Sequence, residues 1–275
     1  MARQGLWVGM LAVLVLAGCK RDAEPVAGVS PDAAAPAPEA ATGADRPPRL
    51  DDVIETNSRY IIGISYPPAA ARYPGLAREL VAYAEAAKAE LLQSLESLGN
   101  DSPTAPYELS LSFELPVDSA RIVAATADGS RYTGGAHGEP LVARFVWLPQ
   151  SEQMLRAERL IPDAEGWQAV GEYIAGQLRQ DVAQRARSEG LDETGQREMV
   201  REANRMIEEG TAAEAANFTQ FQPLLGADGR ISAIRFVFPP YQVGPYSDGT
   251  QTVDVPAAVL LPYVAPEYRE LFAAR

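Results

Sequence analysis

One cysteine and one histidine occur in these 275 residues, and their scarcity excludes most familiar ways of doing chemistry. With Cys19 alone no intramolecular disulfide can form, so an exported chain of this composition relies on its apolar core. A Ser-His-Asp or Cys-His arrangement has only His137 through which to pass a proton. Zinc ordinarily draws several ligands from His and Cys, which this chain cannot supply. Neither a G-x-x-x-x-G-K-[ST] phosphate loop nor a G-x-S-x-G elbow occurs. Positive charge is scarce too: Lys and Arg total 24 against 37 Asp and Glu, a formal net charge of −13. An acidic surface disfavours nucleic acid and anionic lipid and suits a cationic partner. No catalytic residue, metal or cofactor is expected. A carboxylate pair of the glycosidase kind, meeting in space, is the alternative that spacing leaves open.

Long apolar runs are also few, and the clearest lies at the start. After a short basic opening, "GLWVGMLAVLVLAG" precedes Cys19, which reads as a signal peptide over residues 1–18, too short for a comfortable transmembrane span. Leu16-Ala17-Gly18-Cys19 resembles the lipobox of bacterial lipoproteins, in which the cysteine is acylated and the peptide is cut just before it. The resemblance implies lipidation at Cys19 and attachment to the lipid bilayer. Lys20 stands where lipoproteins kept at the inner membrane often carry Asp, which favours an outer-membrane address facing the periplasm. Residues 19–49 then form a lipidated Ala/Pro-rich tether. They hold almost no large apolar side chains to offset the entropy of ordering, so this segment is expected to be disordered.

From Leu50 onward the pattern is that of a folded unit. "DVIETNSRYIIGISYP" (52–67) reads as one or two strands, and Pro74 opens a helix. Leu76, Leu80, Tyr83, Ala87, Leu91, Leu95 and Leu98 stripe one face of that helix. Residues 105–115 alternate, with Tyr107, Leu109, Leu111, Phe113 and Leu115 on one side of a strand. Asp128-Gly129 reads as a turn. Residues 140–163 read as a hairpin turning at 149–153. Asp163 is the expected N-cap of a second helix, and a third spans about 193–209, with Met199, Ala203, Met206 and Ile207 inward. Strands return at 217–225, 230–240 and 251–261, and a short helix closes the chain. The pattern predicts an α+β fold: a mainly antiparallel sheet with packed helices, in two linked subdomains.

The lone histidine sits in "RYTGGAHGEP" (131–140). Gly134 and Gly135 permit positive φ, so the chain can turn tightly there. His137 in such a loop is either a structural bridge, a partner-binding group, or a catalytic or metal residue. "RYTGGAHGEP" resembles the Y-x-G-G-A-H motif of the PdaC/RsiV-like superfamily, the extracytoplasmic domains of the RsiV anti-sigma factor and of PdaC deacetylases. Residues 234–264 are similar to that family's second signature, with Pro240-Tyr241, Val243, Pro245-Tyr246, Gly249, Val253 and Pro256 on it. Gly244 stands where Ala is usual. The resemblance implies a PdaC-like N-terminal subdomain over 50–116 and an RsiV-like C-terminal subdomain, of unknown function, over 117–275. It implies binding of a protein or glycan ligand rather than catalysis, with a lysozyme-type muramidase or peptidoglycan as partner; a peptidoglycan-directed hydrolase, or an accessory domain of one, is the alternative. Candidate binding or loop-structural residues are then Tyr132, Gly134, Gly135, His137, Tyr241 and Tyr246, with Tyr132 and the 240–246 block packed near the His137 loop.

Overall fold

A computed structural model describes residues 48–99 and 101–273. The signal peptide, Cys19 and nearly all of the tether lie outside the described residues. The architecture is α+β, built on a mixed six-stranded sheet and a three-stranded antiparallel sheet.

The first sheet runs in sequence order: β1 (Val53–Thr56), β2 (Tyr60–Ser65), β3 (Tyr107–Asp118), β4 (Val123–Tyr132), β5 (Glu139–Leu148) and β6 (Gln153–Met154). β2 and β3 are parallel, which demands a crossover, and α1 (Pro74–Glu96) supplies it. Its buried stripe is Leu76, Ala77, Leu80, Ala84, Ala87, Leu91 and Leu95, close to the reading from periodicity. Each leucine fully removed from water contributes roughly 1.5–3 kcal/mol. The facing side chains come from β3, whose residues alternate buried and exposed, so Leu109, Leu111 and Phe113 meet the helix in one apolar cluster.

The second sheet holds β7 (Phe221–Leu225), β8 (Ile231–Phe238) and β9 (Gln251–Pro256). Around it pack α2 (Ala157–Leu160), α3 (Ala164–Ser188), α4 (Glu193–Gly210) and α5 (Ala257–Leu260). Trp167 of α3 stacks on Phe218 with centroids 5.0 Å apart, and Phe236 meets Phe218 edge-on at 5.7 Å. The Trp167 indole N–H donates to the Ile161 carbonyl at 2.9 Å, so this buried ring leaves no polar group unpaired.

β5 belongs to both cores. Trp147 packs in the cluster under α1, while its neighbours Val146 and Leu148 pack in the cluster around Trp167, because successive strand residues face opposite sides. Shared strands make residues 46–275 one compact unit. The division expected at 116 falls inside β3. Pro116 has no N–H for the ladder, and the register shifts between Glu114 and Val117, yet pairing with β4 resumes at Val117 and Asp118.

Other sequence readings are corrected by packing. Asp128-Gly129 is not a turn: β4 runs straight through it, with Asp128 opposite Ser112 and Gly129 opposite Leu111. A Cβ on Gly129 would lie 2.0 Å from the Ser110 carbonyl oxygen, so this glycine serves a close strand approach. The hairpin after β5 has a second strand of two residues only. Ala157, Leu160 and Ile161 then bury at helical spacing in α2. Asp163 does precede α3, but its side chain accepts no capping bond. Asp192 caps α4 instead, accepting from the Gly195 N–H at 2.8 Å. Met199 and Met206 are half-buried, leaving Ala203 and Ile207 as the inward residues of α4.

Candidate functional site

The β4–β5 hairpin carries the histidine at its tip. Arg131 pairs with Glu139 across the ladder, and residues 133–138 form the connection. Gly134 has φ 95° and Gly135 φ 105°, values that any Cβ would resist. The two glycines turn the chain outward and leave His137 exposed. Below the tip, the Arg131 guanidinium pairs with Glu90 of α1 and with Glu139 at 2.6 Å, tying the hairpin stem to the helix.

The second signature approaches from the other sheet. After β8, Tyr241 adopts φ 74° and its backbone N–H donates to Gly244 at 2.9 Å, closing a tight turn. Gln242 anchors that turn from behind, its side-chain amide donating to the carbonyls of Gly210 (3.1 Å) and Asn217 (2.8 Å). Asp248, in the 3₁₀ turn Tyr246–Asp248, accepts from Arg185 of α3 at 2.7 Å. Val243 and Gly244 are buried while Tyr241 stays 57% exposed.

These two loops meet. The His137 ring stacks on Tyr246 with centroids 3.9 Å apart and planes 18° from parallel. Tyr241 Oη lies 3.3 Å from His137 Nε2, and the Tyr241 and Tyr246 rings are 5.7 Å apart. Tyr246 Oη donates to the Gly138 carbonyl at 3.2 Å, and Nδ1 of His137 lies 3.3 Å from the same oxygen. With the proton on Nδ1, His137 donates to Gly138 and accepts from Tyr241, which satisfies both contacts. Tyr132 Oη donates to the Gly135 carbonyl at 3.3 Å and braces the loop. All six candidate residues therefore belong to one loop pair. The bridge is an exposed one, so His137 is not buried between unpaired partners.

Chemically the cluster is an aromatic surface with phenol and imidazole edges. Its hydrogen-bond partners are backbone carbonyls and one another, with no carboxylate among them. Among the described residues no group of three or more His, Cys, Asp or Glu side chains is placed to hold a metal. Nor, among the described residues, is any helix long and apolar enough to cross a membrane. Gln242, Arg185 and Asp248 position the site, yet the sequence carries no signal for them, since their partners are remote backbone carbonyls and a residue 63 positions away.

Two family profiles match the chain on either side of this cluster. The one described as "Deacetylase PdaC" covers residues 54–139, ending just after the His137 loop. The one described as "Protein of unknown function (DUF3298)" covers 162–258 and contains Tyr241 and Tyr246. This chain carries a PdaC domain followed by a DUF3298 domain. The aromatic cluster is thus one place where the PdaC and DUF3298 segments touch. Among solved structures, a DUF3298 family protein from Pseudomonas aeruginosa is 14% identical, with a TM-score of 0.48 over 83% of this chain and 99% of that one. Another from Bacteroides fragilis is also 14% identical, with a TM-score of 0.47 over 79% and 94%. A search of curated proteins finds no match.

Proposed function

We propose that the chain is a non-catalytic lipoprotein of the bacterial envelope, anchored through acylated Cys19, whose paired domains bind a protein or glycan ligand. In this reading Lys20, next to the anchor, favours the outer membrane facing the periplasm, and the ligand is peptidoglycan or a lysozyme-type muramidase. The observation that carries the binding reading is Tyr241: its side chain is 57% exposed on a backbone of φ 74°. A non-glycine residue in that region costs of order 1–3 kcal/mol, and the turn around it is over-determined by Gln242 and Gly244. The result is an aromatic ring held out to solvent on a firmly fixed backbone beside Tyr246 and His137. Rigid aromatic side chains supply contact area at low entropic cost, and they dominate many binding interfaces. The acidic chain suits a basic muramidase as partner.

Binding of the purified protein to peptidoglycan sacculi and to a basic lysozyme-type muramidase tests this. Tyr241→Ala and Tyr246→Ala are expected to weaken binding at least about tenfold, the loss of one well-placed aromatic anchor. Because His137 is exposed, His137→Ala should change stability by no more than about 1 kcal/mol. Its binding loss then appears with the melting temperature lowered by no more than about 4 °C. Binding of neither ligand, or full binding by all three variants, refutes the reading. Peptidoglycan hydrolysis that disappears in His137→Ala refutes its non-catalytic part.

A further inference from the structure

At the far end of β5, roughly 30 Å along the strand from the His137 loop, lies a cavity of about 780 Å³. The first turn of α1, the turn after β5, β6 and the start of α2 enclose it. Four arginines line it, Arg72, Arg78, Arg156 and Arg159, against two carboxylates, Glu79 and Glu152. That balance is the reverse of the chain as a whole, which carries −13.

The arginines are incompletely engaged. Arg72 pairs with Asp118, yet its side chain remains 60% exposed. Arg156, also 60% exposed, reaches Glu79 only at 3.8 Å. Arg159 spends one bond on a neutral partner, the Gln153 amide oxygen at 2.8 Å. Arg78 makes no side-chain hydrogen bond or ion pair with any described residue. Each guanidinium has five donors in a planar fork, so most of the donors facing this cavity have no acceptor among the described protein residues. Like charges gathered around one cavity raise the local potential, and low-dielectric walls focus it. Tyr73, Pro74 and the edge of the buried Trp147 (6% exposed) supply the apolar part of the lining. The volume falls within the range of small-molecule sites.

We infer that this cavity is a second binding site, for a ligand carrying phosphate or carboxylate groups on a compact organic body, with Arg78 and Arg156 as its principal contacts. Forked arginine–oxyanion pairs are short, bidentate and charge-assisted, which is the contact these free donors offer. The site is separate from the His137 surface and does not depend on what that surface binds.

Calorimetry on the full chain at low ionic strength tests the assignment. The probes are glucose 1,6-bisphosphate, poly-glutamate and neutral maltose. Binding of the bisphosphate supports the assignment, and binding of poly-glutamate alone would overturn its compact ligand in favour of an acidic polymer. Arg78→Gln with Arg156→Gln should weaken either about ten- to hundredfold, and added salt should weaken it further. Arg78→Gln alone should leave the melting temperature unchanged, because it breaks no internal bond, so a binding loss there is not a folding loss. Maltose binding as tightly as the anions, no anion bound by the wild-type chain, or unchanged affinity in the double variant would each overturn the inference.

Discussion

Gly129→Ala is the sharpest test of how the six-stranded sheet is held. The substitution adds one methyl group at a position whose φ lies outside the left-handed region, so no backbone strain arises from conformation alone. The cost comes from space. The new Cβ would sit 2.0 Å from the Ser110 carbonyl oxygen and 2.9 Å from the Leu111 Cα, whereas a close carbon–oxygen contact is about 3.3 Å. Relief requires β3 and β4 to part by about 1 Å at the Leu111–Gly129 pair, and both neighbours are backbone atoms that cannot swing away. Parting the strands lengthens several ladder bonds, each worth about 1 kcal/mol net, beneath a leucine packed on α1. A destabilisation of about 3–5 kcal/mol follows. For a domain of this size that lowers the melting temperature by about 10 °C. Gly63→Ala in β2 is the matched control. Nothing lies within 4 Å of its Cβ position, and the change should be neutral or stabilise by about 0.5 kcal/mol through the unfolded chain. Urea titrations of the three proteins measure the difference. A Gly129→Ala loss below about 1 kcal/mol, or equal losses at both glycines, would refute the close-approach account.

Two further outcomes are expected. Burial first, then the charges of Glu85 and Asp52, push the Tyr66 phenol up to about 12, where it stacks on Phe113. The raised folded value means its contribution is fully present below pH 10 and is lost as pH rises from there through about 12. That contribution is on the order of 1–3 kcal/mol; alkaline unfolding of Tyr66→Phe should show a shallower loss than wild type, and an identical curve would contradict the assignment. Separately, Cys19→Ala should abolish palmitate labelling and membrane recovery after export, and unchanged recovery would remove the lipoprotein part of the proposal.

How much of this was legible in the sequence follows the range of the forces involved. Local periodicity is decided by residues three or four apart, so the leucine stripe of α1 and the alternation of β3 could be read directly, and the elements matched. The two short signatures around His137 and Tyr241 likewise carried the family, because glycines and prolines demand particular backbone angles wherever they fall. Asp128-Gly129 misled because a glycine looks the same whether it allows a turn or admits a neighbouring strand; only the Ser110 carbonyl on β3 distinguishes the two. The division expected at 116 lies within β3 for a related reason. Pro116 breaks local pairing, but β3 and β5 are committed to both cores, and that commitment exists only once the sheet is assembled. The amino-acid sequence by itself determined the elements, the acidic balance and the residues at the loop tips. Tertiary structure alone decided that two loops 104 positions apart place their rings in one stack with His137 in the open, and that four scattered arginines face one cavity. Those pairings rest on packing and Coulomb interactions between distant segments, which no local pattern encodes.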